Sequence, residues 1–255
     1  MRTHLLAVII SIFLFGCAQS NPTPVQPVSD AAPTVSEAAV REAEPLSVEQ
    51  HVLSLEDGTY EIRVSYPSFG LPAIDDALAQ FAQKAFDESQ DALQHIHASA
   101  DMPPGAILSY HFDYVIVRAT SSAIDLYYEI SSYQGGAHPS FAYQTFMFDP
   151  PESTPRMPLS IFEGDAQHTL ETLSALSRTR LQDVMKAHDP ENENDAFLEE
   201  MRLDGTTPDA DHFQHIVRTA DGFKILFEPY AVAPWAYGPQ MIDVTWADWK
   251  ASHEH

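Results

Sequence analysis

A histidine in a glycine-rich turn is the strongest candidate for chemistry in this sequence of 255 residues. His138 lies in the pentapeptide Gly-Gly-Ala-His-Pro at residues 135–139. The two glycines can supply the positive φ angles of a tight hairpin, and Pro139 forces the residues before it into extended geometry. We therefore expect His138 at a strand end, with its imidazole near Asp149 or Tyr143. It either contacts a ligand or metal ion, or it is a turn histidine bonded to the backbone.

An aromatic loop bounded by prolines is the second candidate. Residues 230–239 have the sequence Tyr-Ala-Val-Ala-Pro-Trp-Ala-Tyr-Gly-Pro and contain Tyr230, Trp235 and Tyr237. Exposed aromatic side chains of this kind stack on sugar rings or anchor a protein partner. The alternative is a rigid loop folded back onto a sheet, with Tyr230 and Trp235 partly buried. Together with His138, these three aromatic residues are the predicted ligand-binding positions.

Other polar clusters give weaker signals. Residues 189–200 place acids at positions 1, 3, 5, 7 and 12 of a calcium-loop template, but Asn194 stands where the tight turn requires glycine. A solvated acidic loop or helix start is the alternative. Further histidines are expected to be solvated rather than ligands, namely His95, His97, His212, His215, His253 and His255. The chain has no Gly-x-Ser-x-Gly elbow, and we predict no catalytic residue, no metal site and no cofactor.

The only cysteine ends a short apolar segment. Residues 5–15 form an uncharged apolar run that is followed by Gly16 and Cys17. Crossing a hydrocarbon core about 30 Å thick takes roughly 20 helical residues, so this run is too short to span it but fits a secretion signal. Leu-Phe-Gly-Cys resembles a bacterial lipobox, which predicts a signal peptide at residues 1–16 and acylation of Cys17, including palmitate. An ordinary signal peptide with an incidental cysteine is the alternative.

These features predict a lipid-anchored protein of the cell envelope. Ala18, rather than aspartate, follows the cysteine. This residue favours the outer membrane, facing the periplasm, if the cell has one. Only residues 1–4 precede the apolar run, so we expect no cytoplasmic binding segment.

A strong excess of acidic residues narrows the possible partners. The sequence has 37 Asp and Glu against 13 Lys and Arg, a formal net charge of −24. Such a chain repels nucleic acid and anionic lipid headgroups, and it favours a cationic protein, a cationic glycan or a divalent metal ion.

The rest of the sequence predicts an α+β fold on a tether. Residues 17–45 are rich in proline and indicate a semi-extended tether, whereas the 205 residues from Leu46 to Lys250 are enough for one large domain or for two small subdomains. Apolar periodicity predicts two longer helices at residues 72–97 and 166–187. Alternation predicts strands at residues 60–66, 106–119, 123–133, 141–148, 213–217, 223–227 and 241–246. The order of these elements favours mainly antiparallel sheets packed with the two helices, and the strand at 123–133 should bury one face.

Three motifs resemble one known family. Residues 133–139 are similar to its Tyr-x-Gly-Gly-Ala-His hairpin, and residues 158–162 resemble its helix entry. Residues 221–234, closed by Gly238, are similar to its Asp-Gly…Phe-x-Pro-Tyr-x-(Ile/Val)-Ala-Pro signature. The chain thus resembles the RsiV/PdaC-type extracytoplasmic domain pair, here as a lipoprotein.

The resemblance implies a division of the chain and a class of function. It implies a PdaC-like domain at residues 46–150 and an RsiV-like domain at residues 151–255. Both are domains of unknown function, and the pair senses lysozyme in RsiV. The resemblance supplies no set of catalytic residues.

Three functions follow as hypotheses. The first is a binding module for a cationic protein such as a lysozyme, or for peptidoglycan. The second is a cell-wall hydrolase that uses His138 and nearby acids. The third is a structural component of the envelope.

Overall fold

The computed structural model of this chain describes residues 44–99, 107–189 and 195–253. The predicted signal peptide, Cys17 and the tether up to residue 43 lie outside the described residues. Within them, the elements follow in this order: β1 (Glu49–Glu56), β2 (Tyr60–Ser68), α1 (Pro72–Ser99), β3 (Leu108–Thr120), β4 (Ala123–Tyr133), β5 (Ser140–Phe148), α2 (Ala166–His188), α3 (Ala196–Asp204), β6 (Ile216–Arg218), β7 (Gly222–Phe227), β8 (Gln240–Thr245) and α4 (Trp246–His253). The predicted α+β class, with mainly antiparallel sheets, is confirmed.

Strands β1 to β5 form a large sheet in sequential order. All neighbours are antiparallel except β2 and β3, which are parallel. A parallel pair needs a crossover connection, and α1 provides it. One face of α1 buries Ile74, Leu78 and Leu93 against the inner face of the large sheet. The predicted helix at residues 72–97 is therefore confirmed with a slightly later end.

Strands β6 to β8 form a small antiparallel sheet. Its outer face packs on α2 and α4, where Leu173, Leu181 and Trp249 join a second apolar core. Asp165 caps α2 by accepting a hydrogen bond from His168 N–H at 2.9 Å, which fixes the start of this helix.

The two sheets meet through a third apolar cluster. Tyr127 and Tyr143 of the large sheet pack with Val217, Leu226 and Met241 of the small sheet. Because side chains alternate between the faces of a strand, this cluster lies opposite the face covered by α1. The prediction that β4 buries only one face is therefore wrong for its first half, where residues 123–128 are all buried.

Two local predictions also fail at the start of the fold. The sequence pattern does not predict β1, and β2 continues past the predicted end at residue 66, through Pro67 to Ser68. Pro67 is tolerated there because β2 pairs with β3 only up to Val64, so no neighbour on that side requires its N–H.

Candidate binding surface

His138 lies at the tip of the hairpin that joins β4 to β5. Gly135 has a φ of +84°, which favours glycine, whereas Gly136 has no positive φ. The imidazole of His138 donates through Nδ1 to the Pro139 carbonyl at 2.8 Å, as expected for a turn histidine. Its ring also stacks on Trp235, with the ring centroids 4.3 Å apart and the planes at 19°. The turn position alone therefore does not account for its contacts.

The neighbours of the His138 ring differ from those that the sequence predicts. Its ring contacts are with Trp235 and Tyr230, and the Tyr230 hydroxyl lies 3.3 Å from its Nε2. Asp149, the predicted neighbour, is instead bonded to Arg156 and Arg218. Sequence distance favoured a partner on β5, whereas the fold brings the loop before β8 onto the hairpin tip.

The loop after β7 holds Tyr230 and Trp235 beside His138. Its backbone closes on itself, since Tyr230 N–H donates to Ala233 O at 3.0 Å and Ala231 N–H donates to Glu228 O at 3.0 Å. Tyr230 has a φ of +71°, a conformation that costs a residue with a Cβ, and its side chain is 55% exposed. We call His138, Tyr230 and Trp235 the aromatic cluster.

Gly205, at the end of α3, supports this loop from behind. A Cβ at this position would lie 1.7 Å from Ala231 O and 3.0 Å from a methyl group of Val232. Only glycine therefore allows the end of α3 to approach the loop so closely. Val232 and Ala233 are buried, so the loop is anchored on one side and presents Tyr230 on the other.

Tyr237, the fourth predicted binding residue, lies apart from the aromatic cluster. Its hydroxyl donates to Asp189 Oδ2 at 3.1 Å, and its ring lies 5.1 Å from that of His188 at the end of α2. The calcium-loop pattern begins at Asp189, but residues 190–194 lie outside the described residues. Asp195, another acid of that pattern, caps α3 by accepting from Phe197 N–H at 2.8 Å.

A carboxylate that the sequence did not single out ties the hairpin to the loop. Glu228 Oε1 accepts a hydrogen bond from Tyr143 N–H at 3.1 Å and lies 3.3 Å from His215 Nε2. Burial alone would raise the pKa of Glu228, but the bonds from His215 and Tyr143 N–H outweigh it and lower that pKa. The available signal was its position directly before the Pro-Tyr of the family signature. It marks a residue that fastens β5, one of the two edge strands of the large sheet.

A charged network also crosses between the two sheets. Asp125, with no exposed surface, accepts from Arg118 Nε at 2.7 Å and from Arg218 Nε at 2.8 Å. Arg218 continues to Asp149 Oδ1 at 2.5 Å and to Phe148 O at 3.0 Å. Burial raises the pKa of Asp125, and the two guanidinium groups oppose that rise. The sequence signal for this network is an aspartate between Ile124 and Leu126, because a charge that is buried among apolar residues is normally paired.

The other histidines do not form a metal site within the described ranges. His212 lies 2.9 Å from the Thr207 hydroxyl, and His95 Nδ1 donates to Asp91 O at 2.7 Å. His253 is half-buried and stacks on Trp249 at 4.8 Å, so the expectation of a solvated terminus is wrong for it. In residues 44–99, 107–189 and 195–253, no group of three or more His, Cys, Asp or Glu side chains could hold a metal ion. No helix within these ranges is both long and apolar enough to span a membrane.

Several known proteins resemble this chain in sequence or in fold. Residues 160–247 match the family described as "Protein of unknown function (DUF3298)". The chain is 25% identical over 240 residues to the peptidoglycan-N-acetylmuramic acid deacetylase PdaC of Bacillus subtilis strain 168. That match covers 94% of this chain and 47% of PdaC, so the chain spans about half the length of this curated relative.

Two crystal structures of DUF3298 proteins share the fold. A protein from Bacteroides fragilis NCTC 9343 has a TM-score of 0.54 at 16% identity, covering 80% of this chain and 92% of its own. A protein from Pseudomonas aeruginosa PAO1 has a TM-score of 0.54 at 12% identity, covering 82% and 94%. Residues 160–247 therefore match the DUF3298 family in sequence, and the resemblance to the PdaC/RsiV type that the motifs predict is confirmed.

Proposed function

We propose that this protein is an extracytoplasmic binding domain of the cell envelope that recognises a cationic protein of the lysozyme type. The observation that carries the proposal is the aromatic cluster, in which His138 stacks on Trp235 at 4.3 Å beside the exposed Tyr230. Exposed aromatic residues on a rigid support are the usual anchors of a protein interface.

The charge of the chain supports a basic partner. A formal net charge of −24 attracts a cationic protein over a distance of about the Debye length, which is roughly 30 Å at 0.01 M salt and 8 Å at 0.15 M. Such attraction raises the association rate, while the aromatic cluster supplies the contacts that slow dissociation. The net charge therefore steers the partner to the domain, and the aromatic cluster anchors it there.

The experiment is a binding measurement between the purified domain and a lysozyme at increasing salt concentrations. Trp235→Ala should weaken binding about 30-fold or more, because central aromatic anchors cost about 2 kcal/mol or more when truncated. Phe197→Ala, which removes an aromatic side chain that is 59% exposed on α3, is the matched control. Absence of saturable binding at low salt, or binding that salt does not affect, would exclude this function.

Peptidoglycan is the second candidate ligand, favoured by the flat stack of His138 and Trp235. Aromatic faces of this kind stack on sugar rings. PdaC, a deacetylase of peptidoglycan by name, also supports a cell-wall setting. Co-sedimentation with purified peptidoglycan separates the candidates, since stacking on sugar rings should depend much less on salt than attraction to a basic protein does.

The hydrolase alternative would use His138 and nearby acids. It predicts release of soluble muropeptides from peptidoglycan by the wild-type domain and loss of this release in His138→Ala. Our proposal predicts the same low background of release with both proteins.

We also propose that Cys17 is acylated and anchors the domain to the membrane. The lipobox-like sequence before it supports this role, because several acyl chains at about 0.8 kcal/mol per buried CH₂ hold a protein firmly. Cys17→Ser should move the protein from the membrane to the soluble fraction. A mutant that stays with the membrane after a high-salt wash would contradict acylation as the anchor.

A further inference from the structure

A second polar surface lies beside the aromatic cluster, on the face of the large sheet that meets the small sheet. Strand register places Glu129 directly opposite Asp113 on β3 and opposite Tyr143 on β5. Tyr127 lies two residues before Glu129 on the same face, and its ring centroid is 5.8 Å from that of Tyr143. We call Tyr127, Glu129 and Tyr143 the phenol–carboxylate patch.

Glu129 lacks the cation that its neighbours have. On the same face, Asp113 pairs with Arg63 at 2.8 Å, and Asp125 pairs with Arg118 and Arg218. Half-buried Glu129 forms no ion pair and no side-chain hydrogen bond with any residue that the structure describes. Because it also stands opposite Asp113, a second carboxylate, this position has an excess of negative charge at a cost to stability.

The two tyrosines supply an independent indication of a ligand. Tyr127 is 6% exposed and Tyr143 is 5% exposed, yet neither phenol hydroxyl hydrogen-bonds to a residue in the described ranges. Burial first, and then the nearby Glu129 carboxylate, raise the pKa of both phenols, so both hydroxyls stay protonated beside that carboxylate. Neither hydroxyl oxygen is one of the buried polar atoms that lack a partner, so both reach solvent and are available beside the unpaired Glu129 carboxylate.

We propose that the phenol–carboxylate patch binds the guanidinium or ammonium group of an arginine or lysine side chain on the partner protein. The Glu129 carboxylate would accept charge-assisted hydrogen bonds, and the phenol oxygens would accept the remaining N–H groups. The proposal rests on the proposed function, and it places the partner's cationic side chain at the phenol–carboxylate patch. The patch adjoins the aromatic cluster because Glu228, two residues before Tyr230, bonds to Tyr143 N–H.

The test measures binding of an acetylated and amidated hexa-arginine peptide to the domain at low salt, beside the same peptide made of uncharged citrulline. Glu129→Gln should weaken hexa-arginine binding about tenfold, the factor for losing one charge-assisted pair. Tyr143→Phe, which keeps the buried ring, should weaken it by a smaller factor of about three. Glu56→Gln on β1, at the opposite edge of the large sheet, removes the same charge and is the matched control.

The outcomes separate this site from the function on which it rests. Equal effects of Glu129→Gln and Glu56→Gln would overturn the site, since only the overall charge would then matter. Equal binding of the citrulline peptide, or no binding of hexa-arginine, would also overturn it. If hexa-arginine binds through Glu129 while a lysozyme does not bind, the site stands and the lysozyme-type partner is wrong. If a lysozyme binds with Glu129→Gln unchanged, the function stands and the site is wrong.

Discussion

Strand β4 carries two acids on the same face, four residues apart, and they have opposite environments. Asp125 is fully buried, and two arginines bond to its carboxylate. Glu129 is half-buried and has two tyrosines and a second carboxylate around it. The first acid lies where the small sheet covers the large sheet, and the second lies toward the hairpin that carries His138.

The two acids of β4 therefore have different roles, since one holds the sheets together and the other is available to a ligand. A buried charge whose hydrogen bonds are all satisfied holds neighbouring elements in register but offers nothing to a ligand. An acid without a cationic partner costs some stability, but its carboxylate stays available to a ligand. The Asp125 network therefore joins the sheets, and the Glu129 surface, with the aromatic cluster beside it, is available for binding.

The largest expected effect comes from breaking the closed network. Asp125→Asn would leave Arg118 and Arg218 without their shared carboxylate in a buried place. Loss of one partner from a buried ion pair costs about 3–5 kcal/mol, and we expect a fall of that size in the free energy of unfolding in urea. Glu129→Gln, by contrast, should change it by less than about 0.5 kcal/mol. Similar losses in the two variants would remove the distinction between the two acids.

The next effect tests whether the close approach of Gly205 to the loop is needed for binding by the aromatic cluster. Gly205→Ala forces a methyl group against Ala231 O, and overpacking of this kind costs about 1–3 kcal/mol. Because the loop must shift, binding of a lysozyme should also weaken although no aromatic residue is changed. Gly136→Ala, whose Cβ would lie 3.8 Å from its nearest neighbour, is the control and should alter stability by less than about 0.5 kcal/mol. Unchanged binding by Gly205→Ala would show that the loop tolerates displacement.

A smaller effect concerns the backbone of Tyr230. Tyr230→Ala and Tyr230→Gly both remove the ring, but only glycine relieves the positive φ of +71°. The glycine variant should therefore be more stable than the alanine variant by about 1 kcal/mol, the reverse of the usual order. Both should bind a lysozyme equally weakly. A more stable alanine variant would mean that the positive φ of Tyr230 carries no strain. The binding surface would then be as free of backbone strain as the strand around Asp125.

Much of the fold follows from local sequence pattern. The strand predicted at residues 123–133 is observed as β4 with the same limits, and the helix predicted at 166–187 ends one residue later. Apolar periodicity and turn residues decide such elements locally. The missed strand β1 alternates weakly, and it forms because β2 supplies the partner for its backbone.

The candidate site was predictable as a set of residues but not as an arrangement. His138 belongs to one sequence motif and the pair Tyr230 and Trp235 to another, and only the tertiary fold brings residues 92 positions apart into contact. The same reason explains why Asp149 was expected beside His138 and why Tyr237 was grouped with the wrong neighbours. The Asp125 network and Glu228 were missed because their partners are 93 and 85 residues away.

The smallest expected effect is a change with pH at Glu228, which joins the hairpin to the loop. Burial raises the pKa of Glu228, but hydrogen bonds from His215 and Tyr143 N–H outweigh it and hold the folded-state pKa below its ordinary 4.5. A lowered carboxyl pKa stabilises the folded state fully above the unfolded value, and this contribution is lost as pH falls through the folded value. Wild type should therefore lose stability relative to Glu228→Gln as the pH falls below about 5, as measured by urea unfolding at each pH. Taking the difference between the two proteins cancels Asp149, whose pKa is also lowered, by Arg156 and Arg218 against burial. Parallel curves for the two proteins would show that Glu228 does not fasten β5. Apolar packing alone would then hold the edge of the binding surface, whereas ion pairs of Asp125 hold the junction between the sheets.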